Sequence, residues 1–185
     1  MNTDALTPKA QRTRAALIAA AEGVIGRDGT GDLSVMSVCA AAGVGRTSFY
    51  TYFADVEALA AEVGANAAEG IRAAFDAAHL NEPRGVPRLG ACLRMLIGIA
   101  ERAPDQMLLL TALATRPGPV REILTGEIAA ELAAAPHLSE EDHIALGRLI
   151  ATGIIGATRD LAEGRITAEI AGRMVDRLIR ACDAG

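Results

Sequence analysis

The chain has 185 residues, 51% of them hydrophobic and 22% charged, and a net charge of −5. That length and apolar content suit one good core, or a small domain fused to a larger one, and exclude intrinsic disorder. The negative balance excludes bulk electrostatic binding of nucleic acid, so any such contact must come from a small face that the whole-chain sum conceals.

Ala, Leu and Arg dominate and β-branched runs are scarce, which points to an all-α fold. Cys39, Cys92 and Cys182 are odd in number, far apart and form no CxxC pair. His79, His137 and His143 share no ligand spacing with them or with one another. Neither a disulfide framework nor a metal site is indicated, and no cofactor is called for. There is no secretory leader and no uncharged apolar run of about 18 residues, so a reduced, cytoplasmic protein with no membrane association is expected.

Residues 1–8 read as a polar arm ending in Thr7-Pro8, a helix start. From Lys9 to Asp28, Leu17, Ile18, Ala21, Val24 and Ile25 recur at helical spacing, and Gly29 stops the segment. Ser34 is a natural N-cap for a short second helix with Val35, Val38, Cys39 and Ala42 on its buried stripe. Gly43 ends it, and a third short helix runs from Arg46 to Phe53. Helix, Gly-containing turn, helix is the spacing of a helix-turn-helix.

Asp55 can cap a long fourth helix to about residue 78. The Asn81–Pro87 stretch is a loop, followed by a helix near 88–102. Pro104 opens a sixth helix to about 115. After Arg116-Pro117-Gly118-Pro119 a seventh runs to about 134. Ser139 and Asp142 form a capping box for an eighth helix to about 163, and Thr167 caps a ninth to about 182.

The aromatic residues are three Phe, two Tyr and no Trp, and only Phe75 lies outside Phe49-Tyr50-Thr51-Tyr52-Phe53. Residues 33–55 resemble the DNA-binding region of the tetracycline-repressor (TetR) family. The shared features are the Ala42-Gly43-Val44 turn, the small residue at Gly45, Ser48-Phe49-Tyr50, the pair Tyr52-Phe53, and Leu59. The resemblance covers roughly residues 10–60. It implies a three-helix DNA-binding domain over 1–54 and an effector-binding and dimerisation domain over 55–185. It also implies a repressor that leaves its operator when a small molecule binds.

On this reading Arg46, Thr47 and Ser48 stand at the N-terminal end of the recognition helix, where short side chains reach base edges. Arg46 can fork onto guanine, and the Thr47 methyl can meet a thymine methyl. Tyr50, Tyr52 and Ser34 are candidates for phosphate, with Lys9, Arg12 and Arg14 reaching the flanking backbone. Phe49 and Phe53, four apart, are read as core. One departure stands out: where the family carries Lys at the start of helix four, this chain has Val56 between acids, which removes a phosphate contact.

The resemblance places the dimer interface on the last two helices. Gly147, Ala151, Ile154, Ile155 and Thr158 are the candidates on one, and Ile170, Met174 and Leu178 on the other. Helices four to seven would enclose the effector, with Cys92, Met95, Leu96, Ile99, Met107, Leu110 and Thr111 as lining. An aliphatic, thioether lining favours an apolar ligand. No Ser/His/Asp, Cys/His, paired-carboxylate or phosphate-loop pattern argues for an enzyme. The rival reading is a helical binding protein that has lost DNA binding, on the strength of the acidic balance and Val56.

Overall fold

The computed structural model describes residues 7–79, 82–135 and 139–183. Most of the polar arm, Asn81 and His137 therefore lie outside the described residues. The chain order is α1 (Pro8–Asp28), a 3₁₀ turn (Thr30–Asp32), α2 (Val35–Ala42), α3 (Arg46–Tyr52), α4 (Val56–His79), α5 (Val86–Arg102), α6 (Pro104–Ala114), α7 (Pro119–Leu132), α8 (Glu140–Ala162) and α9 (Ala168–Asp183). No strand occurs among the described residues, so the all-α expectation holds.

Local chemistry sets the boundaries. The Thr7 hydroxyl oxygen accepts from the Ala10 amide at 3.3 Å, and Pro8 follows it where a missing amide costs nothing. Asp55 accepts from the Ala58 amide at 2.7 Å and so caps α4. Ser139 and Asp142 form the expected reciprocal box at the head of α8. The Thr167 oxygen accepts from the Ile170 amide at 3.3 Å at the head of α9.

Two ends depart from expectation. Helix α5 starts at Val86, ahead of residue 88, because Pro87 tolerates the first turn. Helix α3 stops at Tyr52: the Phe53 amide still closes the last turn onto the Phe49 carbonyl at 3.0 Å, but Phe53 itself is extended, at φ −133°.

There are two cores. The first gathers Leu17, Ala21 and Ile25 of α1, Val38 and Cys39 of α2, and the rings of Phe49 and Phe53. It also takes Leu59 and Val63 from α4 and Leu109 and Ala112 from α6. The second is built from α4 beyond Ala68 together with α5 to α9. Helix α4 thus runs through both cores, and a division at residue 54 does not match how its side chains are buried. Gly26 adds to the joint: a β-carbon there would stand 3.5 Å from the Leu109 backbone nitrogen, so α1 and α6 approach closely.

One buried charge ties the larger core together. Glu131 is only 3% exposed; it accepts from the Gly85 amide at 2.7 Å and stands 3.8 Å from Arg88. Arg88 also donates twice to the Glu82 carbonyl, at 3.0 and 2.8 Å, so the α4–α5 connection is pinned to the end of α7. Burial first, then the charges of Glu127 and Glu131, push the Cys92 thiol up to about 12.

Candidate nucleic-acid interface and effector cavity

The recognition helix is held from beneath. Phe49 is fully buried; its ring centroid lies 5.8 Å from that of Phe53 and 5.5 Å, edge to face, from that of Tyr50. The Arg14 guanidinium sits over the Phe53 ring, 5.3 Å from its centroid, and pairs with Glu62 of α4. Arg14 is therefore half-buried inside the domain, a correction to its reading as a cation reaching for the DNA backbone.

The outer face of α3 is open. Arg46 and Thr47 are exposed, Ser48 is half-buried, and Tyr50 is 52% exposed. Lys9, Arg12 and Arg46 are all exposed and join no ion pair among the described residues. Their charge is available to phosphate although the chain is acidic overall. Tyr52 differs: it is half-buried and packs against the domain core.

Ser34 is also committed locally. Its oxygen accepts from the Ser37 amide at 3.0 Å, its hydroxyl lies 3.0 Å from that of Ser37, and its own amide donates to the Ser37 oxygen at 3.0 Å. Its hydroxyl belongs to the cap, and a phosphate arriving at α2 would meet backbone amides first.

Two residues near this face escape sequence reasoning. Met36 on α2 is 76% exposed, and its place off the Val35/Val38/Cys39 stripe was the available signal. Arg116, between α6 and α7, donates to the Thr30 hydroxyl at 3.0 Å, a contact across the two cores that nothing in the sequence announces. Val56 lies in the groove beside it, lined also by Thr30, Leu33 and Leu113.

Among the expected effector residues, Leu96, Met107, Leu110 and Thr111 do line one cavity, with Ile71, Leu124, Ile154, Ile155 and Thr158. Its volume is about 10 Å³, room for roughly one water. Cys92, Met95 and Ile99 do not line it; Cys92 lies instead beside the Glu131 cluster. The Thr111 and Thr158 hydroxyls donate to the Leu108 and Ile154 carbonyls, at 3.0 and 2.7 Å, so the wall is effectively apolar.

On α8, Gly147, Ala151, Ile154 and Thr158 are buried within their own chain. A β-carbon on Gly147 would stand 3.8 Å from Leu132, so this face is taken up by α7. Side chains sealed in one subunit cannot meet another, which corrects that half of the interface expectation; Ile155 is half-buried. The free face of α8 carries Leu149, 67% exposed, with Thr152, Gly153 and Gly156. On α9, Met174 is 52% exposed and Ile170 is exposed, whereas Leu178 is half-buried.

Residues 17–63 match the family model of bacterial regulatory proteins, tetR family. Over these residues the chain is similar to the TetR family. The match ends at Val63, the last α4 residue in the smaller core, so it covers the helix-turn-helix and the first part of α4, which packs on it. No curated protein matches the chain.

Solved structures extend the likeness to the rest of the TetR-type fold. A TetR-like transcriptional regulator from Rhodococcus sp. RHA1 is 17% identical, with a TM-score of 0.74, covering 94% of this chain and 96% of that one. The ketosteroid transcriptional regulator KstR2 of Mycobacterium tuberculosis is 17% identical, with a TM-score of 0.62, covering 90% and 92%. The multidrug binding protein EbrR, solved with malachite green, is 25% identical, with a TM-score of 0.61, covering 89% and 96%. No helix among the described residues is long and apolar enough to cross a membrane.

Proposed function

We propose that this ligand-responsive regulator is a homodimeric, cytoplasmic repressor that leaves a two-fold operator when a small apolar molecule enters the α4–α8 core. The observation that carries the reading is α4, which contributes Leu59 and Val63 to the DNA-binding core and Ile71 to the wall of the effector cavity. A ligand that displaces α4 at Ile71 moves the helix on which Phe49 and Phe53 rest. EbrR and KstR2, whose names give them a drug and a ketosteroid connection, support a small-molecule ligand.

Two recognition helices about 34–36 Å apart would engage successive major grooves. The free faces of α8 and α9, through Leu149 and Met174, are the surfaces that would join the two subunits. On each half-site Arg46 would read a base, Thr47 and Ser48 would line the groove, and Tyr50, Lys9 and Arg12 would hold phosphate.

Gel shifts with DNA flanking the gene test this. Arg46→Ala should cost about 1–3 kcal/mol at one operator position and relax preference there. Tyr50→Phe should weaken all operators alike. Failure of the wild-type chain to shift any such DNA at low salt, with or without ligand, would favour the rival in which DNA binding has been lost.

A further inference from the structure

A second cleft lies directly outside the apolar cavity, between the end of α6, α7 and α8. Its volume is about 400 Å³, within the range of roughly 300–1,000 Å³ usual for ligand sites. Its polar lining is Arg121, Arg148, Thr115, Thr125 and Thr152, and no acidic residue lines it. Ile155 borders both this cleft and the apolar cavity. The two spaces are therefore neighbours along the same three helices, one basic and open, the other apolar and closed.

The charge of this cleft is not neutralised. Two other arginines of α8 and α9 are paired one turn along their own helix, Arg159 with Glu163 and Arg173 with Glu169. Arg121 has Pro117, Gly118, Leu124 and Thr125 at those distances, and Arg148 has Ile144, Ala145, Ala151 and Thr152. Neither guanidinium joins an ion pair or a side-chain hydrogen bond among the described residues. Two uncompensated guanidiniums in one concavity focus positive potential and can each take a carboxylate in a two-point fork.

The hydroxyls sharpen this. Thr115 donates to the Ala112 carbonyl at 2.7 Å and Thr125 to the Arg121 carbonyl at 2.9 Å. Donation to a ligand therefore falls to the two arginines and Thr152.

We propose that the effector is an aliphatic carboxylate, its head on Arg121 and Arg148 in the α6–α7–α8 cleft and its tail passing Ile155 into the cavity lined by Leu96, Met107 and Leu124. This rests on the ligand-responsive reading above and replaces its wholly apolar effector with one that has an apolar tail and an anionic head. The head explains why a basic cleft opens on an acidic protein. The tail explains why the adjoining wall is aliphatic and includes Met107, whose unbranched chain can give way as the cavity opens.

Calorimetric titration of the full-length chain with decanoate, decanol, decyltrimethylammonium, decyl phosphate and acetate tests the proposal. Decanoate should bind at least about tenfold more tightly than decanol, which lacks the charge. Decyltrimethylammonium should not bind, and neither should acetate, which brings the head without the tail. Arg121→Ala combined with Arg148→Ala should abolish the preference for decanoate over decanol. Both arginines are exposed, so folding is checked by an unchanged far-ultraviolet spectrum and melting temperature without ligand. Equal binding of decanol, tighter binding of decyl phosphate, or an unaffected double variant would overturn the proposal. A parallel gel shift separates it from the regulator reading. Decanoate that binds without loosening DNA leaves the ligand assignment standing and removes the signalling role. DNA release by other compounds, with no decanoate binding, does the reverse.

Discussion

Position 56 shows how much one side chain can alter. Val56 lines a groove with Leu33 and Leu113, where the family resemblance calls for a lysine near phosphate. Val56→Lys should steepen the salt dependence of DNA binding by about one counterion per subunit, read as the slope of log K against log salt. An unchanged slope would place residue 56 outside the DNA footprint. Glu22 makes a separate prediction. Burial on α1 holds its carboxyl above the usual carboxylate range, so the folded chain keeps the proton that the unfolded chain releases. Stability contributed by this group is therefore present below the ordinary carboxylate value and lost as pH rises through the raised one. Urea unfolding across that window should show the decline, and Glu22→Gln should flatten it.

At the scale of elements, the short α2 depends on its ends. Eight residues cannot sustain a helix by propensity alone, so the Ser34–Ser37 box and the left-handed Gly43, at φ +66°, contribute in proportion. Ser34→Ala should cost about 1 kcal/mol in chemical denaturation. It should also weaken DNA binding only as far as α2 loosens, since the hydroxyl is occupied by the cap. A large loss of affinity with no loss of stability would instead give Ser34 a direct phosphate contact. Cap and turn residues of this kind were readable in the sequence, because each acts on a neighbour three or four positions away. The close approach of α1 to α6 at Gly26 was not, because it joins residues about eighty apart through backbone.

For the whole molecule, the faces of α8 bear on the proposed homodimer. The sequence shows small residues recurring along this helix, and recurrence alone cannot say which side turns inward. Burial assigns Gly147, Ala151, Ile154 and Thr158 to the subunit's own core and leaves Leu149, Gly153 and Gly156 outside. On the homodimer proposed above, Leu149→Arg should leave the chain monomeric in sedimentation at fixed concentration, with little change in the far-ultraviolet spectrum. A variant that remains dimeric would move the interface off this face.

The helix-turn-helix region was the most legible part of the chain. Phe49, Phe53, Ser34, Gly43 and Asp55 take the places their types demand, since aromatic pairs at helical spacing, caps and left-handed turns are local physics. All nine described helices follow from the same rules, with ends displaced by one or two residues where Pro87 and Phe53 had latitude. Tertiary structure alone decided what depends on distant partners. It drew Arg14 onto Phe53 and Glu62, ran α4 through both cores, and closed the expected effector cavity to about 10 Å³. It also left Arg121 and Arg148 together and unpaired beside that cavity. They lie on different helices, and only packing brings two such charges to one cleft.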